Sequence, residues 1–141
     1  MNRPSWDLTQ NYRVGRRIVL VEDEALVAIM MLDMLGELGF SVVGPMSNTS
    51  TALTAAKQGD FDCAILDLNL GGEISYPVAD ELAARGLPFI FVTGYDRDGV
   101  ETRYSSVPLL QKPVDEHSLK TVLDLCLDSA SEALARKAAS A

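Results

Sequence analysis

The sequence predicts an α/β fold in which parallel strands alternate with helices, and three features carry that prediction. Short apolar runs recur along the chain and stop on polar groups: residues 18–21 before Glu22 and Asp23, 63–66 before Asp67, 89–92 before Thr93, and 107–110 before Gln111 and Lys112. Stretches with helical spacing of apolar residues separate these runs. Glycine or proline punctuates most junctions, at Gly39, Gly44, Pro45, Gly59, Gly86 and Pro88.

Residues 1–15 are polar, contain Pro4 and the single Trp6, and read as a tail. The first strand, 18–21, leads into a helix over 24–38 with Leu26, Ile29, Met30 and Leu38 at helical spacing, and Gly39 is a stop of the type favoured just past a helix. Met30, Met31 and Met34 read as core filling. A short strand, 40–43, closes at Gly44 and Pro45, and a weaker helix runs through Thr51, Ala52, Leu53, Ala55 and Ala56 to Gly59. The third strand delivers Asp67 to a glycine-containing loop, 69–73, followed by a helix at 78–85.

Pro88 introduces the fourth strand. From 95 to 106 apolar residues are sparse, so any helix there would bury little and be mobile. After the fifth strand, Asp115 can cap a last helix that buries Leu119, Val122, Leu123, Leu125, Cys126 and Leu127. Residues 16–128 thus form one domain, and the alanine-rich 129–141 is a helical extension or tail. Five such alternations imply right-handed crossovers with helices on both faces of the sheet. The expected architecture is a flavodoxin-like, doubly wound, five-stranded parallel sheet of order 2-1-3-4-5.

Composition narrows the function. A formal net charge of −8 argues against broad phosphate-backbone binding. The one basic cluster, Arg13, Arg16 and Arg17, reads as a solvated tail beside the first strand. Cys63 and Cys126 lack metal-ligand spacing and read as small buried hydrophobes of a reducing compartment. With neither a leader-like apolar segment nor a long apolar span, the expectation is a cytoplasmic protein without membrane or nucleic-acid contacts.

In an open parallel sheet, ligands collect at the carboxyl ends of the strands, so Glu22, Asp23, Asp67, Thr93 and Lys112 should share one pocket. Three carboxylates about 5 Å apart repel by about 3 kcal/mol per pair at an effective dielectric near 20. One lysine offsets only part of this, which calls for a raised carboxylate pKa or a divalent cation. Oxygen ligands suit Mg²⁺. His117 sits at the start of the last helix and reads as exposed, not as a ligand. With Mg²⁺ in place, Asp67 can attack a phosphoryl group while Lys112 and Thr93 hold its oxygens. No GxxxxGK[ST] or GxGxxG segment occurs, so ATP is not the direct donor.

These five positions, in this order and at this spacing, resemble the receiver domain of bacterial two-component response regulators over roughly residues 16–128. The resemblance implies that Asp67 is the phosphoacceptor and that Glu22, Asp23 and the backbone carbonyl of Asn69 hold Mg²⁺ with it. It also implies that Lys112 pairs with the phosphoryl group, that Thr93 turns toward it, and that the bond before Pro113 is cis. The run Phe91, Val92, Thr93, Gly94, Tyr95, with residues 69–73 and Pro77, Val78, Ala79, is similar to the single-domain "FAT GUY" receivers. That group implies a sensor histidine kinase of the HWE or HisKA2 type as donor. Contact with an unknown downstream protein, or a role in a phosphorelay or as a phosphate sink, is expected of a monomer or weak homodimer.

Two positions depart from the common receiver pattern. Leu109 stands three residues before Lys112, where many receivers carry an aromatic, and Gly94 replaces the common alanine. The signal is then expected to travel through reordering of 95–106, with Tyr95 supplying the aromatic contact. Taken singly, the same residues have structural readings: Asp23 as a helix cap, Thr93 and Gly94 as a strand-end turn, Lys112 as a surface charge, Pro113 as a strand stop. The rival activity is a haloacid-dehalogenase-like phosphatase or phosphotransferase using an aspartyl phosphate.

Overall fold

The computed structural model describes residues 14–94 and 99–139, with side chains described as far as Asp128. Its main sheet contains β1 (Arg17–Val21), β2 (Ser41–Met46), β3 (Cys63–Asp67), β6 (Phe89–Thr93) and β7 (Leu109–Gln111), all parallel, in the order β2-β1-β3-β6-β7. This is the expected 2-1-3-4-5 order of a flavodoxin-like sheet. The α-helices among the described residues are α1 (Ala25–Glu37), α2 (Thr49–Gln58), α3 (Tyr76–Ala84) and α4 (Glu116–Ala139).

Alternating strand residues feed two cores, because successive side chains leave opposite faces of a strand. Ile18, Leu20, Ile65, Ile90 and Val92 pack with Met31 and Leu35 of α1 and with Leu119 and Leu123 of α4. Val19, Val21, Leu66 and Phe91 pack with Ala52 and Ala56 of α2 and with Val78 and Leu82 of α3. β3 is covered on both faces, and all five of its residues are buried, Asp67 included.

Several sequence expectations need correction. On α1 the inward residues are Ala28, Met31 and Leu35, whereas Leu26, Ile29 and Met30 are 71%, 62% and 48% exposed. On α4, Leu125 is 60% exposed, because it lies two residues, more than half a helical turn, from buried Leu123 and Leu127. Arg16 and Arg17 are not a loose basic tail: they pair with Asp62 and Asp60, and Arg17 is the first residue of β1. Arg13 and the rest of 1–13 lie outside the described residues.

The second strand does not stop at Gly44. It runs on to Met46 through a cis Gly44–Pro45 bond and a bulge opposite Val19 and Val21. Gly44 has φ +112°, and a Cβ there would sit 2.6 Å from the Leu20 carbonyl oxygen, so only glycine fits. Pro45 is tolerated because β2 is an edge strand. The bulge lets the Met46 carbonyl accept the Glu22 N–H at 2.9 Å, which holds Glu22 in line with the end of the sheet.

The 69–73 segment is a hairpin, β4 (Asn69–Leu70) and β5 (Glu73–Ile74), turned by Gly71 and Gly72, both with positive φ. Asn48 caps α2 by accepting the Thr51 N–H at 2.9 Å, and Asp115 accepts the Ser118 N–H at 3.0 Å at the start of α4. In the described part of the 95–106 segment, Thr102–Tyr104 forms a 3₁₀ turn. It is anchored, not loose: Tyr104 is buried, stacked on Tyr76 at 4.9 Å and edge-on to Phe91 at 5.4 Å, and its hydroxyl donates to Asp80. No helix among the described residues is long and apolar enough to cross a membrane.

Candidate functional site

The carboxyl ends of β1, β3, β6 and β7 lie along one edge and frame a cleft of about 440 Å³, lined by Asp23, Glu24, Asp67, Asn69, Thr93 and Lys112 with Gly71, Gly72 and Gly94. Lys112 follows β7, and its backbone N–H donates to the Thr93 carbonyl at 2.8 Å, which carries the strand pairing one residue further. The Lys112–Pro113 bond is cis. The Lys112 ammonium lies 2.8 Å from Glu24 Oε1, 3.0 Å from Glu22 Oε1 and 3.1 Å from Asp67 Oδ2.

Each acid has a second tie. Asp67 Oδ1 accepts the Asn69 N–H at 3.2 Å, and its backbone carbonyl accepts the hydroxyl of fully buried Ser75 at 2.7 Å. Glu22 Oε2 accepts the Glu24 N–H at 3.1 Å. Asp23 is exposed and its Oδ2 accepts the Gly71 N–H at 2.8 Å, joining the end of β1 to the β4–β5 turn. The Asn69 side chain accepts the Gly72 N–H at 3.0 Å and shapes the same turn.

One ammonium therefore faces three carboxylates. Glu22, Glu24 and Asp67 each place an oxygen within 4.8 Å of the others, so each pair repels by roughly 3–4 kcal/mol at an effective dielectric near 20. Burial pushes the Asp67 carboxyl up, contact with Glu22 adds to this, and Lys112 offsets only part, leaving its pKa at about 7. Burial acts to lower Lys112, but its hydrogen bonds to Glu24, Glu22 and Asp67 outweigh that and hold the ammonium well above the ordinary lysine range. The donors are all oxygen, and the negative charge is left over after Lys112 is counted: this is a set that fits a hard divalent cation.

The fold thus brings Asp67, Thr93 and Lys112 into one cleft with Asn69 and Gly94, and places buried Glu22 against Lys112 and Asp67. Asp23 lines the cleft, yet its carboxylate is engaged by the hairpin. It does not cap α1: the capping position is Glu24, which makes no side-chain cap bond because it reaches Lys112 instead. Glu24 is the residue that the strand-end reasoning missed, and its signal was the third acid of the run Glu22, Asp23, Glu24. Tyr95 lies outside the described residues. Leu109 is half-buried against the α2–α3 core, and the aromatic that packs beneath this end of β6 is Tyr104, against Phe91. His117 is exposed, as expected.

The family described as the response regulator receiver domain matches residues 18–124. The chain belongs to this family. It is similar to the transcriptional regulatory protein PdtaR of Mycobacterium tuberculosis, at 28% identity over 118 residues, covering 81% of this chain and 58% of PdtaR. The chain therefore spans less than two thirds of that relative's length. Among solved structures it is similar to SdrG from Sphingomonas melonis Fr1, at 42% identity and a TM-score of 0.70, covering 81% of this chain and 97% of SdrG. The beryllofluoride-activated form of SdrG, from Pseudomonas melonis Fr1, is 43% identical with a TM-score of 0.70, covering 81% of this chain and 98% of that one.

Receivers are phosphoacceptor signalling domains, and this chain is one by family and by fold. The phosphatase alternative has no support: the family is that of receivers, and Asp67 stands on the central third strand with Leu68 and Asn69 after it, not in a DxD segment on the first.

Proposed function

We propose that this receiver takes a phosphoryl group onto Asp67 from the phosphohistidine of a sensor histidine kinase and passes on its state by protein contact. One observation carries the reading: a carboxylate only 4% exposed ends the central strand in an open cleft that Thr93 also lines, 3.1 Å from a lysine ammonium and within 4.8 Å of Glu22. A carboxylate so placed is costly unless its charge has work to do.

In the proposed transfer an Asp67 carboxylate oxygen forms the new bond to phosphorus as the phosphorus–nitrogen bond breaks, and the electron pair returns to the imidazole, which takes up a proton. The Asn69 N–H on Oδ1 and the Lys112 ammonium on Oδ2 hold the carboxylate in a fixed orientation. Lys112 is then placed to follow the charge onto the phosphoryl oxygens, and the Thr93 hydroxyl to donate to one of them. Glu22, Asp23, Asp67 and the Asn69 carbonyl are the groups that would hold Mg²⁺, which when bound neutralises phosphoryl charge. The protein catalyses only its own phosphorylation and dephosphorylation.

The kinase is assigned to the HWE or HisKA2 type on the run Phe91, Val92, Thr93, Gly94, Tyr95, and the docking surface to α1. There exposed Leu26, Ile29 and Met30 adjoin a small apolar hollow lined by Met34, Pro113 and Val114, directly beside Lys112. For the outgoing signal, Ser75 ties the Asp67 carbonyl to the start of α3, where Tyr76 stacks on Tyr104 and accepts the Glu101 N–H at 2.9 Å. This route replaces the aromatic missing at Leu109. A cytoplasmic location follows from the kinase partner.

The test is intact-mass measurement after incubation with acetyl phosphate and Mg²⁺. One phosphoryl group should be gained by the parent chain and none by Asp67→Asn. An unchanged parent mass with this and other small phosphodonors would end the proposal.

A further inference from the structure

The fold holds a second pair of reactive groups away from the cleft. Cys63 opens β3 and Cys126 lies on the inner face of α4; both are free thiols, and their sulfurs are 3.3 Å apart. Residues 63 apart in the chain have been brought into sulfur contact. Four residue steps along β3, about 13 Å, separate Cys63 from Asp67, so the pair lies toward the opposite edge of the sheet from the acidic cleft.

The two thiols differ in access. Cys63 has no exposure, whereas Cys126 is 8% exposed and lines an open groove of about 380 Å³ between Pro88, Phe89, Val107, Pro108 and Leu125. That groove has room for a small oxidant beside Cys126, and Cys63 does not line it. The electrostatics point the same way. Either thiol can donate the bond between them; with Cys63 donating, it favours the thiolate of Cys126 and lowers its pKa, while that bond and burial push Cys63 up.

We propose that Cys126 and Cys63 form a peroxide-sensitive modification site, with Cys126 as the attacking thiol, Cys63 as the resolving thiol, and an intramolecular disulfide between α4 and β3 as the product. The Cys126 thiolate attacks one oxygen of a hydroperoxide such as H₂O₂. The oxygen–oxygen bond breaks, the leaving hydroxide takes up a proton, and Cys126 becomes a sulfenic acid. The Cys63 sulfur then attacks the Cys126 sulfur, the sulfur–oxygen bond breaks, and the departing hydroxide takes the proton that Cys63 gives up. Two thiols and one H₂O₂ become one disulfide and two waters. The two sulfurs are already in contact in the folded state, and the cross-link fastens the last helix to the strand that ends in Asp67. The site does not depend on the phosphoacceptor reading.

The full folded chain is incubated with H₂O₂, quenched with catalase, denatured in excess N-ethylmaleimide and weighed intact. The expected product has lost two hydrogens, carries no maleimide, migrates as a single chain without reductant, and regains two alkylatable thiols after dithiothreitol. In peroxide with dimedone, Cys63→Ala should acquire one adduct on Cys126, and Cys126→Ala should acquire none on Cys63. Two maleimides on the peroxide-treated parent, chains cross-linked to one another, or sulfinic acid on Cys126 with no disulfide would overturn the pair as a site. Dimedone on Cys63 in Cys126→Ala would overturn the assignment of the attacking thiol. The measurement on the parent needs no substitution, so it decides the disulfide even where a cysteine variant folds poorly.

Discussion

Replacing Asp67 with asparagine should make the metal-free protein more stable, although it deletes a partner of Lys112. The ionised Asp67 side chain sits in a cleft where its pKa has risen from the ordinary 3.8 to about 7. A difference of that size separates the two protonation states by ~4 kcal/mol. The native state holds the proton more tightly than the unfolded chain, so the penalty is absent below pH 4, grows as pH rises, and is complete above pH 7. Part of the gain on substitution is lost because the neutral amide gives Lys112 a weaker partner than the carboxylate at 3.1 Å. Net stabilisation of about 2–4 kcal/mol at pH 8 is expected. Urea unfolding in EDTA from pH 5 to 8 measures it: the parent's stability should fall with pH relative to Asp67→Asn. Parallel curves, or a variant less stable than the parent at pH 8, would refute the electrostatic argument.

Other consequences can be checked beside it. Millimolar Mg²⁺ should raise the parent's unfolding midpoint at pH 8 and do so much less in Asp23→Asn, because binding only to the folded acids stabilises by mass action; an equal rise in both places the cation elsewhere. Ile29→Glu, on the exposed face of α1, should leave acetyl phosphate labelling unchanged and slow transfer from a phosphorylated kinase at least tenfold; equal slowing of both would remove α1 as the docking surface. Tyr104→Ala should cost about 3–5 kcal/mol by urea denaturation, because a large buried aromatic is lost from the contact with Tyr76 and Phe91. A loss under 1 kcal/mol would mean that the 3₁₀ turn is not anchored as described.

The strand ends were legible because buried parallel strands must be continuous apolar runs, and a carboxylate closing such a run, as Asp67 does, stands out. Sheet order and the convergence of Glu22, Asp67, Thr93 and Lys112 follow from that alternation and the handedness of crossovers. Helix faces were less legible. α1 carries apolar residues on most of its circumference, so spacing alone favoured Leu26, Ile29 and Met30 over Ala28 and Leu35, which the sheet in fact covers. The extension of β2 past Gly44 depends on a bulge and an edge position that no local pattern announces. Glu24 was missed because its role comes from a lysine 88 positions away. Tyr104 was missed because an aromatic set among charged and polar neighbours has no periodicity to mark it as buried.

The most direct test of the account is where the phosphoryl group resides. After acetyl phosphate and Mg²⁺, reduction with borohydride and peptide mass mapping should convert one residue, Asp67, to homoserine. Conversion at Asp23, Glu22 or Glu24 in its place, or at no residue while the protein gains phosphoryl mass, would contradict it.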